Sequence, residues 1–254
     1  METTNENEKI EFDLLLQAIY QKYGYDFRNY ARASLKRRVR YRLSQSNFKT
    51  ISEMQHELLY DSKFFATLLS DLTINVTEMF RDPSFFKVLR EVVIPELKKQ
   101  PFIKIWHAGC SSGEEVYSTA ILMKEEGLYK TSLIYATDAD GVVLDKAKSG
   151  VFAIDRMKDY TLNYKKAGGL ASFADYYTAR YDNAIMDNSL KKNIVFSNHN
   201  LVMDGVFGEM DMVICRNVFI YFNRDLQDRV FRLFSESLRP GGFLCLGTKE
   251  TIRF

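Results

Sequence analysis

The chain has 254 residues, with 35 Lys and Arg against 33 Asp and Glu, giving a formal net charge of +2. Apolar residues make up 46% and charged residues 27%, ordinary values for a folded globular protein, so a disordered or Pro/Gly-dominated chain is excluded. The near-neutral balance argues against a protein that coats nucleic acid with its whole surface. Three Cys and three His are scattered without CxxC or HxxxH spacing, so no metal site is expected. Sparse Cys and the acidic, polar start METTNENEKIEFD read as a cytoplasmic chain with no secretory leader. Membrane insertion is not expected either, because the most apolar run, 212–222, is broken by Arg216 and Asn217.

Up to residue 72, apolar residues recur at helical spacing: Phe12, Leu15, Leu16, Ile19, then Leu35, Val39, Leu43, then Met54, Leu58, then Phe65, Leu68, Leu69, Leu72. Gly24, residues 44–47 and Asp61-Ser62 punctuate them. This predicts a small all-α domain over 10–72. Seven basic residues and no acid fall within 28–42. On one continuous helix, Arg28, Arg32, Lys36 and Arg40 would line a single face. Like charges so stacked repel, which points to an anionic partner; a solvated helix face is the plainer alternative.

From residue 73 the texture changes. Short strands are predicted at 103–106, 132–137, 194–197, 210–215 and 242–247. Helices are predicted at 114–126, 141–148 and 224–238. Such alternation implies an α/β domain over 73–254, with a mostly parallel sheet and its loops gathered at the strand carboxyl ends. Residues 150–193 interrupt the rhythm, are rich in Tyr and hold Gly168-Gly169. They are expected to form an inserted subdomain with a little antiparallel sheet.

The first predicted crossover carries Ala108-Gly109-Cys110-Ser111-Ser112-Gly113-Glu114-Glu115. Glycine lets the backbone turn sharply there and approach a ligand. The glycine spacing matches neither a dinucleotide fingerprint nor a P-loop. Glu114 and Glu115 would repel a diphosphate and welcome a cation, such as the sulfonium and ammonium of S-adenosyl-L-methionine. Two Glu in a first helical turn also complement the helix dipole, by roughly 0.3–1 kcal/mol each. Asp138 closes the second strand, where a carboxylate can accept hydrogen bonds from a ribose diol. Asp140 suits the N-cap of the following helix better than Asp138 does. Arg216 and Asn217 end a buried strand, where ligands bind in open α/β sheets. Pro240-Gly241-Gly242 reads as a structural turn.

Assembled, these residues resemble the chemotaxis receptor glutamate methyltransferase family (CheR). The resemblance spans about 10–250. Its motifs are Asn75-Val76-Thr77-Glu78-Met79-Phe80-Arg81-Asp82-Pro83, the stretch 106–118, Ala136-Thr137-Asp138, Asn200-Leu201, Cys215-Arg216-Asn217-Val218-Phe219-Ile220-Tyr221-Phe222 and Gly247-Thr248-Lys249-Glu250. Val116, Ser112, Met79 and Thr248-Lys249 depart from the family's usual Pro, Thr, Phe and His-Ser. The resemblance implies a helical domain followed by a Rossmann-like methyltransferase domain carrying a small β-subdomain. It implies methyl transfer from S-adenosyl-L-methionine to glutamates in the cytoplasmic domain of methyl-accepting chemotaxis receptors, leaving S-adenosyl-L-homocysteine. It places cofactor contacts at Asn75, Thr77, Arg81, Glu115, Asp138, Asn200, Leu201, Asn217 and Val218, and puts Tyr221 close to the methyl-transfer point. Arg81 and Tyr221 are then expected to orient the acceptor or the cofactor. The basic residues 28, 32, 36 and 40 are expected to meet the receptor rather than nucleic acid. Competing readings are a methyltransferase of this fold acting on RNA or a small molecule, a non-catalytic binding module, and, last, an NAD-dependent oxidoreductase.

Overall fold

Four helices build the first part of the chain, the last two with side-chain caps at their N-termini. The structure is a computed structural model describing residues 2–73 and 76–251. Helix α1 is Glu2–Tyr23, α2 Arg32–Ser44, α3 Ile51–Tyr60 and α4 Ser62–Leu72. Thr50 caps α3 by accepting from the Glu53 N–H, and Asp61 caps α4 by accepting from the Lys63 N–H. Gly24 takes φ 76° just beyond α1, the left-handed turn that only glycine adopts without strain. The apolar faces meet in one core of Phe12, Leu15, Ile19, Leu35, Val39, Met54, Leu58, Leu68 and Leu72, as the helical spacing predicts.

One expectation fails here. Arg28 does not belong to α2, which begins at Arg32. The Asp26 carboxylate takes the Arg28 backbone N–H at 3.0 Å and its guanidinium at 2.8 Å. That local closure competes with helix formation. The four basic residues therefore do not share one continuous helical face.

The contacts of the chain separate two units. The first comprises Met1–Ile74 with Val218–Arg232, and the second Asn75–Asn217 with Leu233–Phe254. Within the first, Tyr30 packs edge-on against Phe222 at 5.1 Å, and backbone bonds tie Ala31 to Tyr221 and Asn29 to Asn223.

The second unit opens with α5 (Pro83–Val88), which runs through a π turn (Leu89–Val93) into α6 (Ile94–Leu97). Then follow β1 (Ile103–Ala108), α7 (Glu114–Glu125), β2 (Ser132–Asp138) and α8 (Gly141–Ser149). The insertion holds β3 (Val151–Ala153), α9 (Met157–Lys166), β4 (Tyr177–Arg180) and β5 (Asn183–Met186). The chain closes with β6 (Ile194–Asn198), β7 (Met210–Cys215), α10 (Arg224–Ser237, whose later residues belong to this unit) and β8 (Leu238–Leu246). The main sheet has the order β6-β2-β1-β7-β8 with every pairing parallel, and the insertion forms an antiparallel sheet of order β3-β5-β4. β7 is buried at every position, as befits a strand inside a parallel sheet. β8 already begins at Leu238, so the Pro240-Gly241-Gly242 stretch lies in a bulged strand start and not in a separate turn.

Register aligns the strand ends. Ala108 pairs with Thr137, and Asp138 with Asn198. The segments after β1, β2, β6 and β7 therefore share one edge of the sheet.

Candidate active site

The turn after β1 is fixed from below. The Thr137 carbonyl accepts from the Gly109 and Cys110 N–H groups, both at 2.9 Å. Gly109, Ser111 and Gly113 all take positive φ, at 79°, 51° and 93°. Gly113 is required for packing rather than for a ligand, because an added Cβ would stand 2.9 Å from the Ala147 Cβ of α8.

Asp138 ties two crossovers together. One carboxylate oxygen accepts from Ser111 N–H at 2.8 Å and the other from Asp140 N–H at 3.0 Å. Burial pushes its carboxyl above the ordinary range, against the pull of these donors. The Ala139 N–H is a third backbone donor to this carboxylate, which leaves about one of its roughly four lone-pair sites for a ligand hydroxyl. Asp140 caps α8 by accepting from Val142 N–H at 2.9 Å, as expected. The Ser111 Oγ beside this carboxylate is buried and has no partner among the described residues.

The two glutamates diverge. Glu114 is 7% exposed, accepts from Ser112 Oγ at 2.7 Å, and is pushed up by burial. Glu115 meets the Arg216 guanidinium and lies 3.6 Å from His107 Nδ1. Burial works to raise the Glu115 carboxyl, but the imidazole and guanidinium outweigh it and hold it below its usual value. Arg216 also reaches Asp82 at 2.6 Å and the Arg81 carbonyl at 3.3 Å. With that guanidinium occupied by carboxylates, the edge offers acceptors and amides. This set fits a cation-bearing nucleoside better than a pyrophosphate.

The remaining expected contacts fall as follows. Asn75 lies outside the described residues. Thr77 is half-buried in the segment leading to Arg81, whose Nη1 donates to the Val76 carbonyl at 3.1 Å. Asp82 gives its carboxylate to Arg216 and not to Arg81. Asn200 caps its own turn by accepting from Val202 N–H at 3.0 Å, and Leu201 is buried after it. Asn217 takes φ 62°, and its N–H donates to Glu250 Oε2 at 2.8 Å. Val218 precedes a short 3-10 turn in the first unit. Tyr221 follows in that unit, with the Arg38 guanidinium 5.0 Å from its ring centre. Thus Glu115, Asp138, Asn200, Leu201 and Asn217 share the sheet edge.

His107, Asp82, Ser111 and Glu250 lie inside the motifs quoted above, yet sequence reasoning assigned them no role. Arg216 had one visible mark, a charge directly after the apolar run 212–215. Of the basic residues, Arg32 pairs with Asp13, Arg40 with Glu8 at 2.7 Å and Arg28 with Asp26, while Lys36 has no acidic partner among the described residues. No described helix is long and apolar enough to cross a membrane, and no group of candidate metal ligands occurs among the described residues.

Comparison with known proteins agrees with this geometry. Residues 75–253 match the family model described as CheR methyltransferase, SAM binding domain, and residues 10–73 match CheR methyltransferase, all-alpha domain. The chain is 53% identical over 252 residues to a Pseudomonas putida protein named Cher3, covering 99% of this chain and 92% of that one. It is 31% identical over 89% of its length to a 104.1 kDa protein of Rhodobacter capsulatus, of which it spans 24%. It is 30% identical to the chemotaxis protein methyltransferase of Listeria innocua, covering 90% of this chain and 85% of that one. With an all-α domain ahead of a SAM-binding domain, and an edge suited to a sulfonium nucleoside, the chain belongs to the CheR methyltransferase family, with S-adenosyl-L-methionine as its cofactor.

Proposed function

We propose that this chain methylates glutamate side chains in the cytoplasmic domain of methyl-accepting chemotaxis receptors, forming glutamyl methyl esters. The observation that carries the reading is that the histidines and cysteines described at the sheet edge are ill placed to take a proton from an acceptor. Among the described residues there, His107 is 1% and His199 7% exposed. The Cys110 and Cys215 thiols are pushed well up by burial. Glu115 is engaged by Arg216. An alcohol or amine acceptor needs a base within hydrogen-bond reach. A glutamate, with an ordinary pKa of about 4.3, arrives ionised. The name of the Listeria innocua relative supports a chemotaxis substrate.

S-adenosyl-L-methionine supplies an electrophilic methyl on a cationic sulfur. The protein's part is alignment, worth up to roughly 7–11 kcal/mol when two reactants are held in line. In this reading Glu115 meets the methionine ammonium and Asp138 the ribose. Asn75, Thr77, Asn200, Leu201, Asn217 and Val218 complete the cradle. Arg81 and Tyr221 orient the acceptor carboxylate. An ester no longer carries the charge that Arg81 attracts, which favours product release.

Arg32 and Arg40 are 47% and 59% exposed, so their pairs with Asp13 and Glu8 are surface pairs worth about 0–1 kcal/mol. Such pairs exchange readily for the acids of a receptor, joined by Lys36 and Arg28. Incubation with tritiated S-adenosyl-L-methionine and receptor cytoplasmic fragments is expected to give base-labile label on the receptor. Base-stable label, or label on RNA alone, would overturn the reading.

A further inference from the structure

Arg216 is a heavily committed charge of the second unit. Its side chain is 1% exposed and lies over the Phe85 ring, 4.0 Å from the ring centre. Nη1 serves Glu115 and the Arg81 carbonyl, and Nη2 serves Asp82. Three segments distant in sequence thus meet on one planar fork: the first turn of α7, the 80–82 turn and the end of β7. The 80–82 turn is itself under tension, with Phe80 at φ 52° and Asp82 at φ 55°, values that non-glycine residues rarely hold without outside support.

Burying a guanidinium is costly, and well-packed apolar residues often hold segments together as firmly. The Nε of Arg216 is moreover buried with no partner among the described residues, a further cost. A charge kept at that expense suggests a task that packing cannot perform. Two carboxylates share one guanidinium, so the Asp82–Arg216–Glu115 cluster retains one net negative charge. A ligand ammonium on Glu115 would neutralise it and draw Glu115 partly away from the fork.

We propose that Arg216 is a positioning residue that couples occupancy of the cofactor site to the strained turn carrying Arg81. With Glu115 shared with the ligand, the guanidinium leans on Asp82 and tightens the 80–82 turn and the start of α5. The orienting Arg81 is then set only when cofactor is present. The inference rests on the reading that Glu115 meets the cofactor ammonium.

Hydrogen exchange of the α5 amides 84–88, which are assigned no cofactor contact, tests it. S-adenosyl-L-homocysteine at saturation, set from calorimetric titration of each variant, is expected to slow their exchange about tenfold in the wild type. The slowing should vanish in Arg216→Lys, which keeps the charge and loses the fork, and in Asp82→Asn, which removes one arm. Equal slowing in wild type and Asp82→Asn, or no slowing in the wild type, would overturn the coupling. Should Arg216→Lys fail to fold or to bind, Asp82→Asn carries the test alone. Glu115→Gln separates the premise: unchanged homocysteine-product affinity in that variant removes Glu115 from the cofactor, whatever α5 does.

Discussion

Glu114 and Glu115 are chemically identical neighbours in one helical turn, yet their surroundings push them in opposite directions. Burial raises Glu114 above its ordinary value of 4.5, and the His107 and Arg216 contacts lower Glu115 against its own burial. The linkage signs follow. Between its ordinary and raised values the folded protein holds more protons on Glu114 than the unfolded chain, so stability falls as pH rises through that window. Above it, the buried anion is a standing cost. For Glu115 the unfolded chain holds more protons, so its contribution is present above 4.5 and is lost as pH falls through the lowered value. Glu114→Gln is therefore expected to leave stability unchanged or raise it by less than about 1 kcal/mol at pH 7, since Ser112 keeps an acceptor. Glu115→Gln should cost about 1–3 kcal/mol at pH 7, because it removes one of the two carboxylates that face a buried guanidinium and leaves Asp82 to pair it alone. The Glu114 difference should shrink toward zero as pH falls toward 4.5, and the Glu115 difference only as pH falls below 4.5 through its lowered value, which thermal unfolding of the two variants from neutral pH down to the acid limit of folding would read. Two glutamates after a glycine turn were visible in the sequence as a cation-friendly feature. Which of them would be shielded was not, because that depends on Arg216, 101 positions away.

At the scale of elements, periodicity exposed the helices of the first unit and most parallel strands, because each repeats a burial pattern over several residues. It was silent where long-range polar contacts decide the structure. The insertion is the clearest case: its antiparallel sheet was expected from the length of the interruption and from the family resemblance, whereas α9 and its anchoring were not. That anchor is Glu125, at the end of α7. One of its oxygens accepts from Tyr164, from Tyr176 at 3.0 Å and from Leu170 N–H at 3.1 Å, and the other pairs with Arg90 at 2.5 Å. Gly169 belongs to the same corner, since an added Cβ would stand 2.1 Å from the Tyr164 ring. Nothing in the local sequence marks Glu125, which reads as an ordinary solvated helix end beside Glu126. Its side chain is 3% exposed. Glu125→Ala would leave two phenols and the Leu170 N–H without their acceptor and Arg90 with Glu126 alone, at a cost of about 3 kcal/mol or more. Glu126→Ala removes a half-buried partner of Arg90 and of the exposed Lys98 but leaves Arg90 paired with Glu125 and no phenol unpaired, so it should cost less, about 1–2 kcal/mol. Urea unfolding of the two variants checks the contrast; equal losses would show that the network does not anchor the insertion.

For the whole molecule, the order of the chain and the order of its contacts differ. The sequence separates an all-α stretch from an α/β stretch near residue 73, and the family models divide at the same place. Contacts nevertheless group Val218–Arg232 with the first helices. Sequence texture does not reveal this, because Phe219, Phe222, Leu226 and Val230 have the spacing of any amphipathic helix and its lead-in. Their partners say otherwise. Phe222 packs on Tyr30, Tyr221 lies beside Arg38, and the backbone of 221–223 bonds to that of 29–31. Arg38 is 8% exposed and also donates to the Leu72 carbonyl, so this member of the basic run is an interior strut, unavailable to any partner. A fragment beginning at residue 76 would keep every strand of the main sheet and lose this support. Apolar side chains that the full chain covers would face water, at roughly 25 cal/mol per Å². The fragment is therefore expected to unfold at lower temperature than the full chain and to aggregate on heating. Phe222→Ala in the full chain should reproduce part of the loss, about 3–5 kcal/mol for a buried Phe. A fragment that melts at the full chain's temperature and stays monomeric would instead make residues 76–254 a self-sufficient domain, with 218–232 needing nothing from the helices before it.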